Sequence, residues 1–257
     1  MKQLTTLIFD VDGTLADTER DGHRVAFNAA FQHNNLEWDW DIATYGELLS
    51  VTGGKERIKY FLSLKHPDLL KRVDLEQWIA QLHKDKTRFY TDMLQQGNIP
   101  FRPGVLRLLQ EARDKGLRLT IATTTTPENV TYLLNHASDE SLLDWFECIG
   151  AGDIVPAKKP APDIYHYVMQ QLNLSSAECI AFEDSENGIR ASLGADLTTI
   201  ISINDYTRTH DFSGAALVLD QYGEANTPCQ VIDGPVLPNG YLTIDDVIAI
   251  HRQSTKQ

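Results

Sequence analysis

The chain has 257 residues and a formal net charge of −13, from 23 lysines and arginines against 36 acidic residues. This charge argues against a nucleic-acid or anionic-membrane partner, because either would favour a basic surface. Hydrophobic residues make up 42% of the chain, as in globular proteins. No apolar run approaches the ~20 residues of a membrane span.

The N-terminus and the cysteines indicate a cellular compartment. The first apolar run meets Asp10 too early for a signal peptide, and no transit peptide is visible. Three cysteines without CxxC spacing, Cys148, Cys179 and Cys229, are typical of small buried residues in a reducing environment. We therefore expect a cytoplasmic protein, or a stromal one in a plastid, and a monomer by default.

Five apolar runs of strand length predict a sheet. They are Leu4–Asp10, Leu117–Thr123, Phe146–Gly150, Cys179–Glu183 and Thr198–Ile203. Helical patterns separate the later runs: one opens at Pro103, one opens at Pro162, and one covers Gly188–Gly194. In the second of these helices, Tyr165 falls among the apolar residues. Strands that alternate with helices predict an α/β fold with a parallel sheet.

A helical segment interrupts this alternation after the first strand. Residues 17–97 contain no convincing strand, and their longest helical pattern runs from about Leu75 to Leu94, with Ile79, Leu82, Phe89 and Met93 on its apolar face. We expect 17–97 to be an inserted helical domain, and 1–16 with 98–257 to form the α/β core. Residues 221–257 are an extension of unclear role.

Polar residues stand where the predicted strands end. The carboxyl ends of parallel strands form the ligand-binding edge of an open sheet. The side chains predicted to meet there are Asp10, Asp12, Thr123, Thr124, Thr125, Lys159, Glu183 and Asp184. The four carboxylates would carry a charge of −4, which like-charge repulsion forbids without compensation. Lys159, a divalent cation and a proton on Asp12 would balance it, and all-oxygen ligands suit Mg²⁺.

This donor set favours phosphoryl transfer. A carboxylate beside Mg²⁺ can attack phosphorus and form an aspartyl-phosphate, so we assign Asp10 as the nucleophile. Asp12 would protonate the leaving alcohol and then activate water. Lys159 and the Thr123 hydroxyl would stabilise the phosphoryl oxygens. The predicted metal ligands are Asp10, Asp12, Glu183 and Asp184.

The polar residues at these strand ends resemble, in order and spacing, the four motifs of the haloacid dehalogenase superfamily. Asp10-Val11-Asp12-Gly13-Thr14 matches the first motif, Thr123 the second, Lys159 the third and Glu183-Asp184 the fourth. The resemblance covers nearly the whole chain. It implies a Rossmann-like core with an inserted α-helical cap.

Further segments resemble the CbbY-type phosphatases, which are close to the β-phosphoglucomutases. They are Asp17-Thr18-Glu19, Thr52-Gly53-Gly54-Lys55-Glu56-Arg57, Lys158–Tyr165 and Glu183–Gly188. This likeness implies a phosphatase for a sugar bisphosphate, typically xylulose 1,5-bisphosphate. His23, Thr52, Thr124 and Thr125 are carried over as substrate contacts on the same resemblance.

The helical domain contains residues suited to a second phosphate. Backbone amides at Gly53-Gly54 can approach an anion, and Lys55 and Arg57 add positive charge beside them. Glu19 and Tyr45 are candidates to bind sugar hydroxyls. His83, Lys86 and Tyr90 share one helix face, and we count Lys86 among the substrate-binding candidates.

Several alternatives share parts of this pattern. A phosphoglucomutase-like enzyme would use the same aspartyl-phosphate, and the motifs do not separate transfer from hydrolysis. A dehalogenase would need neither Mg²⁺ nor a second acid, and a phosphonatase would need a Schiff-base lysine, for which Lys55 and Lys86 are only formal candidates. A calcium-binding EF-hand loop fails because Thr14 and Leu15 stand where an acid and a glycine are required. A non-enzymatic binding module would not be expected to keep the full acid set.

Overall fold

The computed structural model describes residues 2–51 and 53–254. They fall into two compact units: an α/β unit, Met1–Asp17 with Pro100–Gln257, and a helical unit, Thr18–Ile99. The chain thus crosses between the units after Asp17 and after Ile99, whereas the sequence suggested crossings after residues 16 and 97. Among the described residues, no helix is long and apolar enough to cross a membrane.

A seven-stranded sheet forms the centre of the α/β unit. Its strands are β1 (Thr6–Phe9), β2 (Arg118–Ala122), β3 (Phe146–Gly150), β4 (Cys179–Glu183), β5 (Thr198–Ser202), β6 (Leu217–Leu219) and β7 (Val231–Asp233). Their order is β3-β2-β1-β4-β5-β6-β7, and every neighbouring pair is parallel except β6 with β7. β1 and β4 are apolar throughout their buried centres because both faces of a parallel sheet are covered. The predicted α/β class is confirmed.

The helical unit is built around aromatic side chains. Its helices are α1 (Arg24–His33), α2 (Ile42–Leu48), α3 (Gly54–Lys65) and α4 (Leu75–Gln95), with a π-helical turn at Thr18–His23 and a 3₁₀ turn at Pro67–Lys71. The Trp40 ring packs against Phe27, Phe31 and Phe61 with centroid distances of 4.7, 4.8 and 5.2 Å. Such clusters bury large apolar areas and fix the helices that contribute to them.

The buried face of α4 differs from the sequence expectation. Ile79 and Leu82 are buried as predicted, but Tyr90 and Leu94 are buried in place of Phe89 and Met93, which are only half-buried. The same face also buries Asp85 and Lys86. The apolar periodicity therefore predicted the helix. It could not predict that Asp85 and Lys86 are buried on the same face, because both are polar.

Five helices are described in the α/β unit, and two of them begin shortly after a strand ends. They are α5 (Val105–Asp114), α6 (Pro127–His136), α7 (Asp163–Gln171), α8 (Glu186–Gly194) and α9 (Ile244–Ser254), with 3₁₀ turns at Leu143–Trp145 and Ser176–Glu178. The Thr126 hydroxyl caps α6 by accepting from the Asn129 amide, and the Ser185 hydroxyl caps α8 by accepting from the Gly188 amide. These caps end the segments after β2 and β4 and so fix the positions of the residues there.

The segment after residue 220 completes the α/β unit. It supplies the antiparallel edge strand β7 and the helix α9, which packs against α5. The Tyr222 ring meets Phe182 at 5.7 Å, and Arg107 donates to the Gly223 carbonyl and pairs with Glu224. The sequence left the role of this extension open, and the structure gives it a packing role.

Candidate active site

Three adjacent strands bring the predicted catalytic residues together. β1 lies between β2 and β4, so Asp10 leaves the sheet between Thr123 and Glu183. The Asp10 amide donates to the Phe182 carbonyl at 3.0 Å, and the Thr123 amide donates to the Gly150 carbonyl at 2.9 Å. These bonds extend the strand pairing by one residue and fix the backbone from which the side chains project.

Lys159 connects two of the carboxylates. Its Nζ atom lies 2.6 Å from Asp10 Oδ1 and 2.6 Å from Glu183 Oε1, and it donates to the Ala122 carbonyl at 2.8 Å. Only 7% of the side chain is exposed. Burial alone would lower the pKa of Lys159, but Asp10 and Glu183 raise it above its ordinary value, so the ammonium group stays charged. Lys158, in contrast, is half-exposed and pairs with Asp153 at 2.7 Å.

The acidic group carries more negative charge than Lys159 can neutralise. Burial raises the pKa of Glu183 to about 7, against the opposing effect of Lys159. Burial, together with Asp10 and then Glu183, raises the pKa of Asp184 well above its ordinary value. A raised carboxyl pKa means that the ionised form lacks compensation. A cation at this position would supply it.

The donor set fits Mg²⁺. One oxygen each of Asp10, Glu183 and Asp184 can be chosen so that all three lie within 4.8 Å of one another. Glu183 Oε2 is buried and accepts no hydrogen bond from the described residues. A hard divalent cation prefers oxygen ligands of this kind. The Asp12 side chain, two residues beyond Asp10, does not belong to this group of three, and its proposed ligand role stays a prediction.

A tight turn follows Asp10. Gly13 has a φ of +84°, and the Gly13 amide donates to the Ala16 carbonyl at 2.8 Å. A side chain at Gly13 would overlap Asp184 and approach Asn204 Nδ2 to 2.7 Å. Only glycine provides both the backbone angle and the space, so the turn that carries Asp12 can lie against Asp184.

Arg102 is a buried residue of the site that the sequence analysis missed. Its guanidinium donates to the carbonyls of Gly13, Ser202, Ile203 and Asp220, and it pairs with Asp17 at 3.3 Å. It thereby joins the turn after Asp12 to the ends of β5 and β6. The only sequence signal was an arginine between linker residues, in the run Phe101-Arg102-Pro103. The hydrogen-bond partners of Arg102 lie up to 118 positions away along the chain.

The threonines after β2 differ in exposure. Thr123 is 1% exposed, and its hydroxyl accepts from the Thr125 amide at 3.3 Å. Thr125 is half-buried and Thr124 is exposed. Thr123 thus follows the strand next to β1, and its catalytic role, like substrate contact by Thr124 and Thr125, stays a prediction.

Within the helical unit, Arg57 is the centre of a polar network. Arg57 Nη1 donates to the Tyr45 hydroxyl at 2.7 Å, and that hydroxyl donates to Glu19 Oε2 at 2.5 Å. Arg57 Nε donates to the Leu48 carbonyl at 3.3 Å, and the side chain of Arg57 is only 11% exposed. The structure therefore brings Glu19, Tyr45 and Arg57 together.

Lys86 and His23 form a second polar contact in the same unit. Lys86 Nζ lies 2.8 Å from His23 Nδ1 and 5.1 Å from the centres of the Phe27 and Tyr90 rings. Burial, Lys86 and Arg57 lower the pKa of His23 well below its ordinary value. Because Lys86 is the donor, His23 is neutral and accepts at Nδ1.

The start of α3 adjoins these cations. Gly53 precedes the helix with a φ of +96°, and a side chain at Gly54 would approach the His83 ring to 2.5 Å. Burial, then Lys86 and Lys55, lower the pKa of His83, and Glu56 opposes them. A helix N-terminus with nearby lysine and arginine side chains suits an anion. Thr52, the remaining candidate of this segment, lies outside the described residues.

Comparison with known proteins identifies the class of the chain. A family model described as haloacid dehalogenase-like hydrolase matches residues 4–196. The chain belongs to this family, and with this result the predicted superfamily and fold are confirmed. Relatives that are 30% identical or less include a putative phosphatase from Bacillus subtilis and a phosphorylated carbohydrates phosphatase from Thermotoga maritima. The predicted enzyme class, a phosphatase, is also confirmed.

Within this family, the chain is similar to CbbY proteins. It is 41% identical to the plasmid CbbY of Cupriavidus necator, with 88% of each chain covered, and 45% identical to CbbY of Rhodobacter capsulatus, with 83% of this chain and 91% of the relative covered. A crystal structure of a CbbY variant from Rhodobacter sphaeroides in complex with xylulose 1,5-bisphosphate matches with a TM-score of 0.70 and 41% identity, covering 87% and 96% of the two chains.

Proposed function

We propose that the protein is a Mg²⁺-dependent phosphatase that hydrolyses a sugar bisphosphate through an aspartyl-phosphate on Asp10. The observation that carries this proposal is the buried group in which Lys159 contacts both Asp10 and Glu183. The similarity to a CbbY protein solved with xylulose 1,5-bisphosphate makes this compound the leading substrate. The predicted monomeric state and cytoplasmic location stay predictions.

Asp10, Glu183 and Asp184 would hold the metal ion, with Asp12 as a further predicted ligand. When bound, Mg²⁺ neutralises phosphoryl oxygens and orients the substrate. Lys159 contributes a fixed positive charge beside Asp10 Oδ1, and its buried position protects that charge from solvent screening. The protein thereby provides an electrostatic environment that is organised before the substrate arrives.

The chemistry proceeds in two displacements at phosphorus. In the first, the Asp10 carboxylate attacks phosphorus, the bond from phosphorus to the sugar oxygen breaks, and Asp12 donates a proton to that oxygen. In the second, water attacks phosphorus, Asp12 takes its proton, and the bond to Asp10 breaks. Lys159 and the Thr123 hydroxyl stabilise the phosphoryl oxygens in both steps.

The helical unit supplies groups for the phosphate that is not cleaved. Arg57 and Lys86 are buried cations, and Lys55 and the amide of Gly54 lie at the N-terminal end of α3. An arginine can bind a phosphate through two parallel hydrogen bonds, which gives orientation as well as affinity. Glu19 and Tyr45, held beside Arg57, are suited to sugar hydroxyls.

Phosphate release from a panel of sugar phosphates tests the proposal. The panel contains xylulose 1,5-bisphosphate, other sugar bisphosphates, their monophosphates and glucose 1-phosphate, each with Mg²⁺ and with EDTA. We expect kcat/KM to be highest for a bisphosphate and activity to be lost with EDTA. We expect the Asp10→Asn variant, purified in the same way, to be inactive because it lacks the proposed nucleophile.

Three results would each contradict part of the proposal. Conversion of glucose 1-phosphate to an isomer with little phosphate release would identify a phosphomutase. Equal kcat/KM for bisphosphates and monophosphates would remove the second-phosphate role of the helical unit. Full activity of the Asp10→Asn variant would overturn the aspartyl-phosphate itself.

A further inference from the structure

Glu183 and Asp184 are consecutive residues, and each has one oxygen held by an uncharged donor. The Tyr165 hydroxyl donates to Glu183 Oε1 at 2.5 Å. The Asn204 amide nitrogen donates to Asp184 Oδ2 at 2.7 Å. The two donors come from different elements, α7 and the segment after β5. None of the sequence motifs includes Asn204, and the apolar pattern of α7 treats Tyr165 as an ordinary core residue.

Tyr165 is held rigidly. It is fully buried, and it packs in a hydrophobic cluster with Ile8, Val168 and Ala181. Its ring has few alternative positions in such close packing, so the direction of its hydroxyl is fixed. Lys159 Nζ lies 5.3 Å from the ring centre and shares Glu183 Oε1 with the hydroxyl. Glu183 Oε1 is therefore anchored twice, while Oε2 accepts no hydrogen bond from the described residues.

The orientation of Asn204 is fixed by its own neighbours. Asn204 Oδ1 accepts from the Tyr206 amide at 2.9 Å, and the Asn204 backbone amide donates to the Thr207 hydroxyl at 3.0 Å. Because the carbonyl side of the side chain is occupied by a donor, the NH₂ side faces Asp184. The turn formed by residues 204–207 thus fixes the orientation of the hydrogen bond from the Asn204 side chain to Asp184 Oδ2.

Neutral donors have an advantage over cations at these places. A lysine or arginine at either position would orient a carboxylate and also cancel its charge. A hydroxyl and an amide orient the carboxylates without adding to the positive charge that Lys159 already supplies at Glu183 Oε1. Such outer contacts commonly change metal affinity by 10–100-fold when they are removed.

We propose that Tyr165 and Asn204 are positioning residues that orient Glu183 and Asp184 toward a divalent cation. This inference rests on the proposed function, because it requires that the acidic group binds Mg²⁺. Neither residue touches the substrate or the reacting atoms in the proposed mechanism. Their contribution is to reduce the freedom of the two carboxylates before the ion binds, which lowers the entropic cost of binding.

The test is the dissociation constant of Mg²⁺, measured by isothermal titration calorimetry on the full chain. Tyr165→Phe removes one hydroxyl and keeps the ring, so we expect Mg²⁺ to bind ~10-fold more weakly. Its matched control is Thr199→Val, which removes a buried hydroxyl bonded to Ser192 Oγ at 2.7 Å in the same unit. We expect this control to leave the dissociation constant unchanged. Melting temperatures without Mg²⁺ show whether the two variants are equally folded.

Asn204→Ala provides a second, independent test. Its control is Thr207→Val, which loses the hydroxyl that accepts from the Asn204 backbone and leaves the amide facing Asp184. We expect ~10-fold weaker Mg²⁺ binding for Asn204→Ala and a smaller change for Thr207→Val. Equal losses in both variants would assign the effect to loosening of the turn and overturn the role of the Asn204 side chain.

The outcomes separate this inference from the proposed function. A wild-type chain that does not bind Mg²⁺ overturns the proposed function and this inference with it. A wild-type chain that binds Mg²⁺, with Tyr165→Phe and Asn204→Ala folded and binding it equally well, overturns the inference alone.

Discussion

The two candidate sites bury charge of opposite sign. In the α/β unit, Asp10, Glu183 and Asp184 share the buried Lys159. In the helical unit, the buried charged residues are Arg57 and Lys86 with one acid, Asp85, and Arg57 also lies 3.9 Å from Glu19. The nearby rings of His23 and His83 have lowered pKa values and stay neutral. A structural ion pair, in contrast, joins one charge of each sign: the buried Arg102, for example, pairs with Asp17 at 3.3 Å.

The comparison teaches how a ligand site differs from a structural ion pair. Burying a charge is costly unless it is paired, so a structural cluster tends toward neutrality. An excess of one sign is favourable only when a ligand of the other sign completes it. The excess acids in the α/β unit therefore indicate a cation. In the helical unit, Glu19 already lies 3.9 Å from Arg57, and the proposed phosphate would be bound by Arg57 together with Lys86 and Lys55.

Removal of the buried lysine should disturb the acidic site most strongly. Lys159→Met leaves Asp10 and Glu183 without their shared cation, and breaking a buried pair in this way costs about 3–5 kcal/mol. We expect a lower free energy of unfolding in EDTA and a loss of turnover of ~10³-fold or more. Mg²⁺ should restore part of the stability, because it supplies the missing positive charge. Denaturant unfolding with EDTA and with Mg²⁺ measures both effects.

The neighbouring lysine provides the control for this prediction. Lys158 pairs with Asp153 on the surface, where ion pairs contribute ~0–1 kcal/mol. Lys158→Met should therefore change stability and turnover little. If Lys158→Met were as damaging as Lys159→Met, the assignment of the catalytic lysine would be wrong.

A methyl group beside Glu183 should damage the same site without changing any charge. A Cβ atom at Gly188 would overlap the Glu183 carboxyl group and would approach even the farther oxygen, Oε1, to 2.7 Å. Gly188→Ala should displace this carboxylate and weaken Mg²⁺ binding by ~10–100-fold. Calorimetric titration of Mg²⁺ measures the loss.

A second glycine of α8, Gly194, tests whether weaker Mg²⁺ binding in Gly188→Ala comes from steric overlap with Glu183. A Cβ atom at Gly194 would make an ordinary contact of 3.4 Å with Pro162. Gly194→Ala should leave Mg²⁺ binding unchanged and raise stability by up to ~1 kcal/mol, because alanine favours a helix more than glycine. Weakened Mg²⁺ binding in this control would point to a general change in α8.

The cationic site can be tested by its substrate preference. Arg57→Ala should raise KM for a bisphosphate by ~10–100-fold, the loss expected for hydrogen bonds to a charged group. KM for the corresponding monophosphate should change much less, because the second phosphate is absent. Steady-state kinetics on both substrates distinguishes the two effects. A parallel rise in both KM values would contradict the role of Arg57 in binding a second phosphate.

The matched control for Arg57 lies on the same helix. Lys59 is exposed and pairs with the exposed Glu76. Lys59→Ala removes a positive charge from α3 at a distance of two residues along the chain. We expect it to leave both KM values unchanged, because exposed charges are screened by solvent and salt.

Residues that act through short motifs could be predicted from the sequence. Asp10, Thr123 and Glu183 each follow a buried apolar run, so the topology of a parallel sheet places them at one edge. The strands β6 and β7 were missed because each has only three residues, and β7 lies in a segment rich in proline and glycine. Local patterns of this length do not differ from those of loops.

Residues that act through distant partners could not be predicted. Arg102 bonds to groups about 100 positions away, and the Asn204 amide reaches back to Asp184 from beyond β5. Tyr165 was assigned to the core by its periodicity, which correctly predicted the burial of its ring but not the use of its hydroxyl. A hydrophobic pattern predicts which side chains are buried. A hydrogen bond depends on which polar group the fold brings next to a side chain, and the pattern does not contain that information.

The smallest expected effect concerns the pH dependence of stability. Burial, then Lys86, Arg57 and His83, lower the pKa of His23 in the folded chain, whereas the unfolded chain has the ordinary value of ~6.5. As the pH falls below ~6.5, the unfolded state binds a proton at His23 that the folded state does not accept, so stability decreases by up to ~1.4 kcal/mol per pH unit. Above this pH the contribution is fully present.

His23→Gln isolates this contribution because glutamine retains an acceptor for Lys86 but does not titrate. The difference in unfolding free energy between wild type and variant, measured from about pH 5 to about pH 8, should be constant above ~6.5 and should shift in favour of the variant below it. A constant difference over the whole range would mean that His23 takes up its proton at the same pH in the folded and the unfolded chain. Below ~6.5 the cationic group would then carry one more positive charge than the contact with Lys86 indicates.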